Sequence, residues 1–227
     1  MKRFFRYLIC LLSSLSALAQ NDVCGSATAL ATGVTAGATT TAFTNTGDPV
    51  PSCESAANKY SYTGWYKYTT GASGGSLTIS MASNAASSGI KWGALTLYSG
   101  SCGSFTELSC SDPNNITYTS PSVSATCLTA NTTYYLMVWS DGTTPNTYPG
   151  TFTLTTTFTS TGNDCCNAAT ALALGATGGT NVGSTTSASD PTSSCDGDAH
   201  YSYTVWYQYT TGASGGGLTI SMTHGTI

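Results

Sequence analysis

An internal repeat constrains this chain more than any other feature of its sequence. Two segments of 22 residues, 141 positions apart, match at 19 positions: 60–81 reads YSYTGWYKYTTGASGGSLTISM and 201–222 reads YSYTVWYQYTTGASGGGLTISM. A period near 140 residues is typical of an independently folding domain, because solenoid repeats run to about 20–50 residues. We therefore expect two domains in tandem, the first over 20–160 and the second, incomplete, over 161–227.

The N-terminus has the pattern of a secretory signal peptide over 1–19. Three basic residues precede a short apolar stretch over 7–15, and Ala17-Leu18-Ala19 supplies the small residues that signal peptidase requires. A membrane anchor would need about 20 apolar residues, more than this stretch contains. We therefore expect a protein that is secreted or displayed on the extracellular cell surface, with no membrane insertion after cleavage.

The charge of the mature chain excludes one class of partner. Three of the six Lys and Arg residues lie before Gln20 while all ten acidic residues follow it, so cleavage lowers the formal net charge from −4 to −7. The three remaining lysines cannot neutralise a row of phosphates. We therefore expect no nucleic-acid partner.

The pattern of residues between the turns predicts an all-β fold. Thr, Tyr, Val and Ile favour pleated strands, and segments such as TFTLTTTFT alternate hydroxyl with apolar side chains. Short strands separated by turns indicate a jelly-roll-like β-sandwich, here in tandem with the second copy truncated. The strands that we predict in the first copy are 39–44, 62–69, 76–82, 91–98, 107–109, 122–128, 133–140 and 151–159.

Eight cysteines follow the signal peptide, and an even number in an oxidising compartment favours disulfides over metal ligation. The spacing predicts that Cys102 pairs with Cys110 across a turn. It also predicts that Cys24 pairs with Cys53, and the repeat then suggests that Cys166 pairs with Cys195. Two cysteines are left without repeat-supported partners: Cys127 could bridge the copies to Cys165 or be a buried thiol.

The order of these motifs resembles a family of secreted bacterial β-sandwich repeats related to the bacterial pre-peptidase C-terminal (PPC) type domain. The motifs are Asn-Asp-x-Cys from Asn21, the aromatic strand from Trp65, Leu-Tyr-x-Gly-x-Cys from Leu97 and Tyr-Tyr-x-x-Val from Tyr134. The resemblance implies an accessory module for secretion, adhesion or substrate contact. It also implies a place in large surface proteins that use type IX secretion.

Catalytic patterns are not evident, so we expect no enzyme in this chain. His200 aligns with Lys59 and His224 with Ser83, which leaves no histidine in a site shared by both copies. No H-E-x-x-H motif occurs. The segment 71–75, GASGG, joins two predicted strands as a hairpin-type turn and is therefore not the strand-to-helix elbow that a G-x-S-x-G nucleophile requires.

Binding is therefore the expected function, as an adhesion or accessory array in a larger exoprotein. The alternative is a carbohydrate-binding array attached to a secreted hydrolase, and the partner would be a polysaccharide or a surface protein. Aromatic rings stack on sugar faces, which makes Trp92, Tyr98 and Trp139 the candidate ligand contacts; we expect Trp65 instead to be a core residue between the sheets. We expect no cofactor and no metal site, although the oxygen-rich turns at Asp112-Pro113-Asn114 and Asp196-Gly197-Asp198 could hold calcium.

Overall fold

The computed structural model of the protein describes residues 21–39, 41–54, 60–84, 88–113, 120–141, 149–182, 184–186, 190–191, 193–195 and 203–223. The chain divides into two compact units, Met1–Thr161 and Gly162–Ile227. In the ranges described, no helix is long and apolar enough to cross a membrane.

The first unit is a sandwich of two β-sheets, as the alternating sequence predicts. A five-stranded sheet has the strand order β1-β3-β8-β5-β6, and a four-stranded sheet has the order β2-β9-β4-β7. Within each sheet the neighbouring strands run antiparallel, except that β1 pairs with β3 in parallel. The strands are β1 (Thr28–Ala29), β2 (Gly33–Ala38), β3 (Tyr60–Thr69), β4 (Gly75–Ser83), β5 (Gly93–Ser101), β6 (Ser104–Ser111), β7 (Ser122–Leu128), β8 (Thr133–Asp141) and β9 (Thr151–Ser160).

One apolar core fills the space between the two sheets. In β9, Phe152 and Leu154 are fully buried, whereas Thr155 and Thr157 on the opposite face are exposed. This alternation is what a strand with one buried and one solvated face requires. The core is completed by Leu30, Tyr66, Tyr68, Leu77, Ile79, Met81, Ile90, Leu95, Leu97, Val123, Leu128, Tyr134, Leu136 and Val138.

A second, aromatic cluster covers the outer face of the five-stranded sheet. Trp65 and Trp139 are both 0 % exposed there, and the Phe105 ring stacks on Trp65 with 5.1 Å between ring centroids. The other members are Ala27, Tyr60, Ala94, Tyr98 and Met137. The burial predicted for Trp65 is thus confirmed, but its place is this outer cluster and not the space between the sheets.

Two segments of chain cover this aromatic face. One begins at Asn21 and leads into β1, and its Asn21 carbonyl accepts the Trp65 backbone N–H at 2.7 Å. The other is residues 41–54, called the strap here. Ser52 in the strap donates its backbone N–H to the Glu107 carboxylate of β6 at 2.9 Å, and its hydroxyl donates to the same carboxylate.

Two disulfides fasten these segments to the β5–β6 hairpin, and both predicted pairings are wrong. Cys24 is bonded to Cys102, and Cys53 to Cys110, each with 5.7 Å between Cα atoms. Cys102 lies in the hairpin turn and Cys110 lies eight residues along an extended strand, about 26 Å away at about 3.3 Å per residue. That distance is too great for a bond between them, and it equally separates Cys24 from Cys53.

The remaining cysteines also differ from expectation. Cys166 and Cys195 are free and exposed, so the pairing suggested by the repeat is wrong. The Cys166–Cys195 pairing was inferred from the expected Cys24–Cys53 bond in the first copy, and that bond does not form. Cys127 and Cys165 are each disulfide-bonded, so the alternative of a buried Cys127 thiol is wrong as well.

One predicted strand is misplaced. The strand expected over 39–44 is wrong; β2 lies just before it, at Gly33–Ala38. The sequence of β2, GVTAGA, is poor in β-branched and aromatic residues. At Gly37 a Cβ would collide with the Phe152 ring and the Tyr66 hydroxyl, so close packing explains this glycine. The other seven predicted strands are confirmed.

The described part of the second unit contains two short strands, β10 (Thr170–Ala171) and β11 (Tyr207–Gln208), paired in parallel. Thr170 lies opposite Tyr207, as Thr28 lies opposite Tyr66 in the first unit. The Trp206 backbone N–H donates to the Asn163 carbonyl at 2.7 Å, which is the same bond that Trp65 makes to Asn21. The repeated residues therefore make equivalent contacts in both units.

Candidate ligand-binding site

The connections between strands of the first unit are long at one end of the sandwich and short at the other. Binding residues of β-sandwiches concentrate in the longer loops, because a rigid scaffold tolerates variation there. The short connections, of two to five residues, are 30–32, 70–74, 102–103 and 129–132. The long ones, of nine to twenty-one residues, are 39–59, 84–92, 112–121 and 142–150, and we call their end of the sandwich the long-loop end.

Trp92, one of the three predicted ligand contacts, lies at the long-loop end, just before β5. It is half-buried, and its backbone has a left-handed conformation with φ of 51°. Its carbonyl accepts the Asp141 N–H at 2.8 Å, and the Ser140 hydroxyl donates to the Lys91 carbonyl at 2.9 Å. Both neighbours belong to the end of β8, so the backbone around Trp92 is fixed by the sheet.

Tyr62 lies at the same end and shares the unusual conformation. It is half-buried, has φ of 51°, and sits in a bulge of β3 between Ser61 and Gly64. The extra residue allows Tyr60 and Thr63 both to face the strap side of the sheet. Glycine adopts positive φ at no steric cost, whereas a tyrosine is strained there. Tyr203 holds the equivalent position of the second unit, with φ of 59° and 60 % exposure.

The base of the 84–92 loop is anchored to the start of β9. The Ile90 N–H donates to the Thr151 carbonyl at 3.1 Å, and the Thr151 N–H donates to the Ser88 carbonyl at 2.8 Å. The Asn84 amide also donates to the Thr151 hydroxyl at 2.9 Å. A Cβ at Gly150 would collide with the backbone of this loop, so the two segments are in close contact. Trp92 is therefore presented from a rigid support.

The other two predicted ligand contacts are not available to a ligand. Tyr98 is 2 % exposed and Trp139 is 0 % exposed, because both belong to the aromatic cluster beneath the strap. The Trp139 indole N–H donates to the Thr96 hydroxyl at 2.9 Å, which satisfies its polar group inside the cluster. Burial raises the pKa of Tyr98 well above its ordinary value. Their role is structural.

Sequence reasoning did not identify Tyr62 as a site residue. Its only signal is that the motif Tyr-Ser-Tyr-Thr is identical in both copies, at 60–63 and 201–204. The strained backbone that distinguishes Tyr62 from the other described tyrosines of the first unit is a property of the bulge and not of residue type.

The predicted calcium turns and the histidines are largely outside the described residues. Asn114, Asp196 to Asp198, His200 and His224 all fall there. In the portion that the structure does describe, no three His, Cys, Asp or Glu side chains converge as metal ligands would. Calcium binding stays a prediction.

Comparison with known proteins gives one assignment. No curated protein matches the chain significantly. A family model, galactose-binding domain-like and associated with type IX secretion, matches residues 20–154, more than half of the chain. This association fits a secreted or cell-surface location, whereas the relation to the PPC type domain stays a prediction. The chain, an all-β sandwich over the matched region, belongs to the type IX secretion-associated family of galactose-binding-like domains.

Proposed function

We propose that the first unit is a non-catalytic carbohydrate-binding module of a secreted protein, and that its long-loop end holds the sugar. The observation that carries this proposal is the pair of half-buried aromatic residues, Trp92 and Tyr62, both held in left-handed backbone conformations at that end. Such strain persists only when the surrounding structure enforces it, and it concentrates at ligand sites.

The neighbouring chemistry suits a sugar. An aromatic ring offers an apolar face for the C–H groups of a pyranose, while a few polar groups fix its orientation. Half-buried Lys91 supplies an ammonium next to Trp92 at the same end of the five-stranded sheet. Family membership supports the same ligand class.

Adhesion through a protein partner is the second candidate function for an accessory module. The exposed surfaces of β4 and β9 that would meet such a partner carry hydroxyl side chains, with Thr78, Thr155 and Thr157 all exposed. Interfaces between proteins favour aromatic residues and Arg over small hydroxyl residues, so we place carbohydrate first.

Retention on immobilised glycans tests the proposal. The protein is applied to galactose-agarose, galactan, cellulose, chitin and xylan, and affinity is then measured on whichever retains it. We expect Trp92→Ala and Tyr62→Ala each to weaken binding about 5- to 150-fold, since loss of an aromatic stacking partner costs about 1–3 kcal/mol. Tyr203→Ala, the same change in the second unit, is the matched control and should leave most of the binding intact.

Intrinsic fluorescence gives an independent readout. Trp65 and Trp139 are fully buried, whereas Trp206 of the second unit is half-buried. In a Trp206→Phe background, a change on adding the retained glycan should therefore come from Trp92 and vanish when Trp92→Phe is added. If no glycan is retained, or if Trp92→Ala binds as tightly as the wild type, the carbohydrate function is wrong.

A further inference from the structure

A partly buried network joins the strap to β3 through Asp48. The Trp65 indole N–H donates to Asp48 Oδ1 at 3.0 Å. The Thr63 hydroxyl oxygen contacts two acceptors at once, Asp48 Oδ2 and the Thr44 carbonyl oxygen. Thr63 is 0 % exposed and Asp48 is half-buried, so the Thr63 hydroxyl is surrounded by protein groups and not by bulk water.

The second unit contains the same network. The Trp206 indole N–H donates to Asp190 Oδ1 at 3.1 Å. The Thr204 hydroxyl oxygen lies 2.6 Å from Asp190 Oδ2 and 3.0 Å from the Thr185 carbonyl oxygen. Two stretches of sequence that differ around the aspartate, NTGDPV and SASDPT, therefore converge on one hydrogen-bond pattern.

The protons in this pattern can be counted. A threonine hydroxyl has one proton to donate, a carbonyl oxygen has none, and an ionised carboxylate has none. If the aspartate were ionised, the hydroxyl would have to share its single proton between two acceptor oxygens. A protonated Oδ2 donates to the hydroxyl, which then donates to the carbonyl, and all contacts are satisfied.

We infer that under mildly acidic conditions Asp48 is held in the folded protein as a neutral carboxylic acid, which donates to the Thr63 hydroxyl and fastens the strap most tightly in that form. The claim is independent of carbohydrate binding, because it concerns neither Trp92 nor Tyr62.

The surroundings of Asp48 favour the neutral form. Burial raises its pKa above the ordinary 3.8 and outweighs the lowering by the Thr63 and Trp65 hydrogen bonds, while the charge of Asp22 raises it further. The Tyr60 hydroxyl donates to the Asp48 carbonyl at 3.2 Å and not to the carboxyl. Among the residues that the structure describes, the other titratable groups nearby are Tyr98 on β5, Glu107 on β6 and Glu54 in the strap, none of which is a cation.

The sign of the pH effect follows. A carboxyl whose pKa is higher in the folded than in the unfolded state stabilises the fold fully below its unfolded value, and this contribution is lost as pH rises through the folded value. The loss therefore begins near 3.8 and is complete above the raised pKa of Asp48.

Asparagine at position 48 mimics the neutral acid, because its carbonyl accepts from Trp65 and its NH₂ donates to Thr63. We expect Asp48→Asn to melt at pH 7 at a Tm no lower than the wild type, and Asp48→Ala to melt several degrees lower. As pH falls from about 8 to about 4, the wild-type Tm should rise relative to that of Asp48→Asn.

A carboxyl ¹³C NMR titration of the wild-type protein measures the proton directly and needs no variant to fold. We expect the Asp48 resonance to titrate clearly above pH 3.8. A midpoint at or below that value, or an Asp48→Asn variant as destabilised as Asp48→Ala, would overturn the inference.

Discussion

Thr156 shows how a single residue can oppose the pattern of its strand. It lies on the core-facing side of β9, in line with Phe152 and Leu154, and is only 2 % exposed. Its hydroxyl makes no hydrogen bond. A buried hydroxyl without a partner loses its hydration and gains nothing in return, at a cost of about 1–3 kcal/mol.

Replacing this hydroxyl by a methyl group should stabilise the domain. We expect Thr156→Val to raise the free energy of unfolding by about 1 kcal/mol, measured by urea denaturation. Thr155→Val, the next residue on the exposed face, is the matched control and should change it by less than about 0.5 kcal/mol. A destabilised Thr156→Val would mean that the hydroxyl has a role that its surroundings do not reveal.

Residue type alone shows only in part which aromatic residues are buried and which are accessible to a ligand. The burial of Trp65 could be predicted because a repeated tryptophan within a strand favours a core position. Tyr98 and Trp139 could not be assigned, because alternation places them on the outer face of a sheet and does not reveal that the strap covers it. The positive φ of Tyr62 depends on the pairing of β3 with β8, which no local pattern encodes.

Among the elements of the first unit, the strap and the N-terminal segment depend most on covalent bonds. The disulfides span 78 and 57 residues, and closing loops of that length stabilises the fold by about 4 kcal/mol each in the chain-entropy model. The burial of the aromatic cluster depends on these two segments staying in place.

Removing the Cys53–Cys110 bridge should therefore be costly. We expect the double variant Cys53→Ser with Cys110→Ser to lose about 2–4 kcal/mol of unfolding free energy. Cys166→Ser, at a free and exposed cysteine, should be neutral. Peptide mapping without reduction should recover Cys24 joined to Cys102 and Cys53 joined to Cys110; recovery of Cys102 joined to Cys110 would contradict the structure.

The strands and the strap also show which parts of the fold can be predicted from the sequence and which cannot. Long strands with a regular alternation, such as β7 and β9, could be placed almost residue by residue. The glycine-rich edge strand β2 could not, because close packing against Phe152 and Tyr66 selected small residues over β-formers. Cysteine pairing depended on the path of the strap across the sheet, which spacing along the chain does not contain.

At the scale of the whole first unit, its two ends should differ in function. Asn131, in the short 129–132 turn, also has positive φ, at 50°. We expect Asn131→Gly to leave glycan affinity unchanged, whereas Trp92→Gly, which relieves the same kind of strain at the long-loop end, should abolish it. If both variants lose glycan affinity to the same extent, the two ends of the sandwich do not differ in function.

The two disulfides of the first unit are interlaced. Cys53 lies between Cys24 and its partner Cys102, whereas the partner of Cys53, Cys110, lies beyond Cys102. A chain oxidised in the order in which its thiols emerge during export would join Cys24 to Cys53 and then Cys102 to Cys110. The folded sheet can hold neither bond. Correct pairing therefore requires either that the first two thiols stay reduced until the β5–β6 hairpin has formed, or that thiol–disulfide exchange replaces the early bonds.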